Sequence, residues 1–262
     1  PHLRKYIKCF WTLEHSNKTI SNPRETVLPD GSLEIVFNLA DRFRRYHFNG
    51  KIEIQPRTII VGQMRQAIQI EPLGRINLFG VRFQTIGAYH FFKFSLDELT
   101  DKIEQLDLVS DADDKFLEEQ INETFTTQER VAIIEKFLTK KLAKGKSTDK
   151  ATETVIERII KNSGVVSVNR IAKDVGISQR QLERHFLQKV GVSPKFFSRI
   201  IRLKNVLGAL QSQPNQNLAN LALSFGYFDH AHFTHEFRAF AGKSPSEFLK
   251  DENRMSELFT GS

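Results

Sequence analysis

The feature that most constrains this chain is an internal repeat. Ile171-Ala172-Lys173-Asp174-Val175-Gly176-Ile177 recurs 50 positions on as Leu221-Ala222-Leu223-Ser224-Phe225-Gly226-Tyr227. Leu182, Phe186, Gly191, Ser193, Pro194 and Phe197 recur at an offset of 51 as Phe233, Phe237, Gly242, Ser244, Pro245 and Phe248. Two copies of one supersecondary unit must therefore each bury the same apolar face. In each copy a short helix (168–175; 218–225) stops at a glycine, which supplies a left-handed cap and a sharp turn. A second helix follows, capped by Ser178 with Gln181 completing a capping box, or by Asp229. Leu182 and Phe186, like Phe233 and Phe237, are spaced four apart and face inward, which leaves the opposite side of that helix free. Ser193-Pro194 and Ser244-Pro245 open a third helix, with proline where its missing N–H costs nothing.

The segment joining the copies, 194–211, gives roughly 27 Å of helix at 1.5 Å per residue. That approaches one turn of B-DNA, so two second helices on one face could enter successive major grooves. Phe197, Ile200, Ile201, Leu203 and Leu207 give it apolar faces for both neighbours. Charge agrees with this reading: residues 148–212 carry twelve Lys/Arg and five Asp/Glu, so the whole net charge of +7 sits in that quarter of the chain. A basic face favours a polyanionic partner.

The small, polar stretch 144–150 separates this part from an N-terminal one, placing the domains at 1–146 and 147–262. The N-terminal part reads as short strands: two around Asn49-Gly50, a tight-hairpin signal; then 33–39, 58–61, 67–70 and 76–83, with Pro29-Asp30-Gly31 as a turn. Six or more such strands predict an antiparallel β-barrel or sandwich. Ser95-Leu96-Asp97-Glu98 predicts a capped helix through Glu104, a second helix is expected over 113–124, and a third runs from a cap at Thr126 to Gly145. Val131, Ile134, Leu138 and Leu142 line one face of the third, for packing on the β-domain or for a dimer. The fold class is thus α+β in two domains, β-rich with connecting helices and then all-α with a double helix-turn-helix.

The chain has 262 residues, 40% hydrophobic and 26% charged, the balance of a globular protein. It begins at Pro1, so the natural N-terminus is expected to be trimmed. Without a membrane-length apolar run or a signal-peptide layout, a cytoplasmic location is expected. The single cysteine, Cys9, forms no intrachain disulfide and no multi-thiolate zinc site. Neither a phosphate-binding glycine loop nor a G-x-S-x-G elbow is present, and His2, His15, His47 and His90 lack His-x-His spacing, so neither catalysis nor a cofactor is expected. His230, His232 and His235 share no single helix face and no carboxylate pair completes a tetrahedral set, so no metal site is expected either. Of the 22 phenylalanines, twelve precede position 138; Phe79 and Phe83 are read as core.

Residues 148–262 resemble the DNA-binding domain of the AraC/XylS family of transcription regulators. The resemblance runs through Ile171-Ala172, Gly176, Ser178, Leu182, Arg184, Phe186 and Gly191-Val192-Ser193-Pro194, then Gly226-Tyr227, Asp229, Ala231-His232-Phe233, Phe237 and Gly242-Lys243-Ser244-Pro245. It implies a seven-helix module that binds double-stranded DNA and most often activates transcription with RNA polymerase. Leu28-Pro29-Asp30-Gly31-Ser32, Val61-Gly62-Gln63 and Gly80-Val81-Arg82-Phe83 are similar to an uncharacterised cupin-like domain that precedes such modules. From this follow a small-molecule effector, for which Arg65, Arg75, Arg82, Tyr89 and His90 are candidates, and a homodimer. Carried over by position, the DNA-reading residues are Gln179, Arg180, Gln181, Glu183 and Arg184 in the first unit. In the second they are His230, Ala231, Thr234 and His235. Arginine can pair a guanine edge in bidentate fashion and glutamate can accept from cytosine. His235 stands where the family often has arginine, so the second unit is expected to bind more weakly. Lys173, Lys189, Lys195 and Arg199 are candidate phosphate contacts. The rival readings are a low-specificity architectural DNA binder and a cupin-like enzyme.

Overall fold

The computed structural model describes residues 2–15, 24–47, 50–109, 116–142, 149–212 and 217–250. Short runs rich in apolar and β-branched residues build β1 (Ile7–His15), β2 (Glu25–Val27), β3 (Glu34–Asn38), β4 (Phe43–Tyr46), β5 (Ile52–Ile54), β6 (Thr58–Val61), β7 (Ile68–Pro72), β8 (Ile76–Phe83) and β9 (Ile103–Gln105). They form a five-stranded sheet in the order β1-β8-β3-β6-β9 and a four-stranded sheet in the order β2-β7-β4-β5. All neighbours are antiparallel. The sheets stay separate, so the domain is a sandwich and not a closed barrel. Its alternation has a clear division of labour: Ile35 and Phe37 of β3 join Phe79, Val81 and Phe83 in one core. Val36, from the opposite face of β3, packs with Phe43, Ile70, Ile76 and Leu78 between the sheets.

The outer face of the larger sheet is covered by two 3₁₀ turns (Ala88–His90; Leu96–Leu99) and by α1 (Leu106–Val109), α2 (Leu117–Asn122) and α3 (Thr127–Leu142). Ile134 and Leu138 of α3 are fully buried in the core that also holds Phe79 and Phe83, so its apolar face is given to the sandwich. The capped helix expected from Ser95 to Glu104 is corrected. It is a 3₁₀ turn ending at Leu99, because Thr100 is extended and Asp101 takes φ 61. Residues 103–105 then pair with β6, a long-range ladder that local capping signals do not report. Asn49, residues 113–115 and the linker 143–148 lie outside the described residues; Gly50 has the positive φ (83) of a tight turn, and β4 and β5 pair as expected.

Among the described residues seven helices follow: α4 (Lys150–Lys161), α5 (Val168–Asp174), α6 (Gln179–Val190), α7 (Pro194–Ser212), α8 (Leu218–Ser224), α9 (His230–Ala241) and α10 (Pro245–Lys250). The long helix α7 serves two cores at once. Phe197 and Ile201 pack with Leu182, Phe186 and Ile171. Ile200, Leu203, Val206 and Leu210 pack with Phe233, Phe237 and Leu221. The β-domain grips the ends of both second helices: Thr100 donates its hydroxyl to the Gly191 carbonyl at the end of α6, and the Ala67 amide donates to the Phe240 carbonyl of α9 at 2.7 Å. No helix among the described residues is long and apolar enough to cross a membrane.

Candidate nucleic-acid interface

The repeat is reproduced in space down to single hydrogen bonds. Ile177 donates its amide to Ala172 and Tyr227 to Ala222, while Gly176 donates to Lys173 and Gly226 to Leu223. Gly176 and Gly226 take φ 70 and 74, the left-handed region in which a side chain is strained. Each first helix therefore ends in the same glycine turn. Ser178 and Gln181 form the predicted capping box on α6, and Asp229 accepts the His232 amide at 2.7 Å to cap α9. Leu182, Phe186, Phe233 and Phe237 are fully buried, which fixes the faces that α6 and α9 turn outward.

On α6, Gln179, Arg180, Gln181, Glu183 and Arg184 are all exposed. Gln181 spends its carbonyl oxygen on the cap, accepting from the Ser178 hydroxyl at 2.8 Å. Glu183 accepts a long bond from Gln179 at 3.4 Å. It pairs with neither arginine, and among the described residues Arg180 and Arg184, one turn apart, have no carboxylate partner. On α9, His230, Ala231 and His235 are exposed. Thr234 is half-buried and its hydroxyl oxygen is shielded with no hydrogen-bond partner, so what it shows to solvent is carbon. Two residues beyond the sequence reading join this surface: Arg238, exposed one turn past Thr234, and Phe228, 85% exposed just ahead of the cap. Phe228 had a sequence signal, the change of repeat offset from 50 to 51 between Tyr227 and Asp229.

Two of the four phosphate candidates are corrected. Lys189 is buried, bonded to the Asp149 carboxylate and set over the Tyr89 ring at 5.6 Å. Burial raises the Asp149 carboxyl, but the hydrogen bonds from Lys189 and Thr152 outweigh it and hold the group well below the usual carboxylate range. Arg199 bonds Glu236 at 2.6 Å and lies against Phe196 and Phe240, tying α7 to α9. Lys173 and Lys195 remain exposed. Among the described residues no group of three or more His, Cys, Asp or Glu is placed to hold a metal ion.

A second candidate site lies between the sheets, a cavity of about 120 Å³. Its wall is apolar where Val27, Leu28, Val36, Phe43 and Leu78 meet, and polar at Asp30, Glu34, Gln63 and Arg82. Arg82 bonds Glu34 and stands 3.5 Å from Asp30, while Trp11 donates to Glu34 at 3.1 Å. Burial pushes the Glu34 carboxyl up to about 7 against the pull of Arg82. Gln63 donates to the Gly31 carbonyl at 2.9 Å, and its own carbonyl oxygen is buried without a partner. Of the five effector candidates Arg82 alone lines this cavity. Tyr89 and His90 are buried in the core, Arg75 leans on Asp41, and Arg65 pairs with Asp101 at 2.6 Å beside a separate hollow shared with Phe196, Arg199 and Phe240.

Residues 171–251, which span both units from α5 to the end of α10, match the family model described as a helix-turn-helix domain. The chain carries a helix-turn-helix domain. Residues 1–105, ahead of the helix-turn-helix domain, match a domain of unknown function (DUF6597). The Msm operon regulatory protein of Streptococcus mutans is 30% identical over 122 residues, 46% of this chain and 44% of that protein. The HTH-type transcriptional regulator ArgR of Pseudomonas aeruginosa is 30% identical over 103 residues, 39% of this chain and 31% of that protein. The matched region thus spans less than half of either curated relative. Among solved structures, ToxT from Vibrio cholerae aligns at a TM-score of 0.48 with 14% identity, over 92% of this chain and 97% of that one.

Proposed function

We propose that the protein is a sequence-specific DNA-binding regulator of transcription, divided at 1–146 and 147–262, that places α6 and α9 in successive major grooves. The observation that carries this reading is the pair of outward faces on two capped second helices, joined by one helix and presenting Arg180 and Arg184, which have no intramolecular partner among the described residues. Arginine free of carboxylates can pair a guanine edge, and exposed Lys173 and Lys195 supply sequence-independent attraction to phosphates. Gln179, Glu183, His230, Ala231, Thr234 and His235 complete the reading surface, and Gln181 acts first as a cap. RNA polymerase and a second copy of the chain are the protein partners that the resemblance implies, in the cytoplasm and with activation as the output.

The inter-sheet cavity is the site for a small-molecule effector. Gly31, in its polar wall, lies so close to α7 that a Cβ there would meet Phe197 and Ile200, so a ligand bonded to Gln63 or Asp30 would push on the helix that spaces the two DNA-reading units. Selection of random duplexes by the purified protein, followed by salt titration of the winner against scrambled DNA, tests the proposal. A two-block site one turn apart, preferred by 10³-fold or more, is expected for a regulator. Discrimination of less than about tenfold would instead indicate an architectural binder.

A further inference from the structure

The two units differ at one place in a way that changes what the second can read. From Gly176 the first unit needs one residue, Ile177, to reach its cap at Ser178; from Gly226 the second needs two, Tyr227 and Phe228, to reach Asp229. Tyr227 takes the part of Ile177, repeating its hydrogen bond and sitting buried in the core. Phe228 is therefore the inserted residue. It has no counterpart in the first unit, and its ring stands 85% exposed at the entrance to α9. The turn that carries it is held, since the Phe228 amide donates to His232 Nδ1 at 3.3 Å.

Between the exposed His230 and His235 the neighbouring surface also holds apolar groups. Ala231 is exposed, and Thr234 shows carbon while its hydroxyl is shielded. The only carboxylate at this end of the helix, Asp229, is occupied by the cap. The leading end of a recognition helix meets base edges in the major groove, and there the 5-methyl group of thymine is the feature to which Phe, Ala and the Thr methyl are complementary. We infer that the second unit reads thymine methyl groups through Phe228, with Ala231 and Thr234 beside it, while the arginines of α6 read guanine in the other block. The inference rests on the DNA-binding reading above. It gives the bound site a chemical polarity, a guanine-containing block and a thymine-containing block one turn apart.

The test uses the full chain and its selected duplex, with each thymine of the second block replaced in turn by deoxyuridine, which lacks only the methyl group. Wild-type affinity is expected to fall by about fourfold at the contacted position, the value of one buried methyl-sized group. Phe228→Ala, a change at an exposed position, is expected to keep the wild-type melting curve and to bind thymine and deoxyuridine duplexes equally well. Equal wild-type binding to both duplexes would overturn the inference, as would a Phe228→Ala variant that retains the full deoxyuridine penalty. If Phe228→Ala abolishes self-association or polymerase recruitment while deoxyuridine has no effect, the ring serves a protein partner and the inference fails. Failure to enrich any duplex would overturn the DNA-binding reading itself, a result distinct from methyl-insensitive binding.

Discussion

Arg180 and Arg184 lie one turn apart on α6, exposed and without a carboxylate partner, whereas the basic residues Lys189 and Arg199 are bonded to Asp149 and Glu236. That contrast separates the cations proposed to bind DNA from those that hold the fold. Arg184→Ala is expected to weaken binding to the selected duplex by about 1–3 kcal/mol, more than His235→Ala. Fluorescence anisotropy titration checks it, and equal losses would refute it. Lys195→Ala is expected to lower the slope of log affinity against log salt by about one. Lys189→Ala should leave that slope unchanged and lower the melting temperature, because the half-buried Asp149 carboxylate loses its lysine partner. Neither Asp149 nor Glu236 is near its partner in the chain, so these assignments could not come from charge counting.

Glu34 and Arg82 face each other across β3 and β8 in the polar wall of the cavity. Desolvation raises the folded-state pKa of Glu34 from 4.5 to about 7, so the folded chain binds more protons than the unfolded one between those values. This group therefore favours folding at low pH, and its contribution declines as pH rises from about 4.5 to 7, by at most about 1.4 kcal/mol per pH unit. Thermal melts between pH 5 and 8 are expected to show this decline for the wild type and a flatter profile for Glu34→Gln; parallel profiles would show that Glu34 is ionised throughout. Asp149, the cap of α4, has the opposite sign. Held low by Lys189 and Thr152, it stabilises above the ordinary carboxylate range, and that contribution is lost as pH falls below about 4.

The two domains meet where the turn at Pro29-Asp30-Gly31 touches α7. Gly31 has φ +79, and a Cβ there would come within 3.1 Å of the Phe197 ring. Gly31→Val is expected to cost at least about 1–2 kcal/mol from the left-handed backbone alone and to shift DNA affinity although residue 31 lies in the wall of the inter-sheet cavity. Melting curves and a duplex titration check both effects. An unchanged affinity in a destabilised variant would mean that the cavity wall does not act on the DNA-reading units through α7. The grip of Thr100 on α6 and of Ala67 on α9 gives the sandwich a hold on each recognition helix, which makes the effector reading mechanical as well as chemical.

What the sequence by itself determined is everything that rests on local chemistry. Glycines at 176 and 226, caps at 178 and 229, and apolar pairs spaced four apart specify two helix-turn-helix units, because each signal acts within a few residues and the repeat states it twice. The strands read at 33–39, 58–61 and 76–83 were legible as short apolar runs between turn signals for the same reason. β1 and β9 were not: β1 carries a register shift between Ile7 and Cys9 that breaks its alternation, and β9 exists because β6 pairs with it. Only the tertiary structure decided between barrel and sandwich, left Arg82 alone of five candidates in the cavity wall, withdrew Lys189 and Arg199 from the DNA-facing set, and left Phe228 outside every core. Each of these depends on contacts between residues far apart in the chain, whose free energy comes from burial and charge pairing that no local pattern encodes.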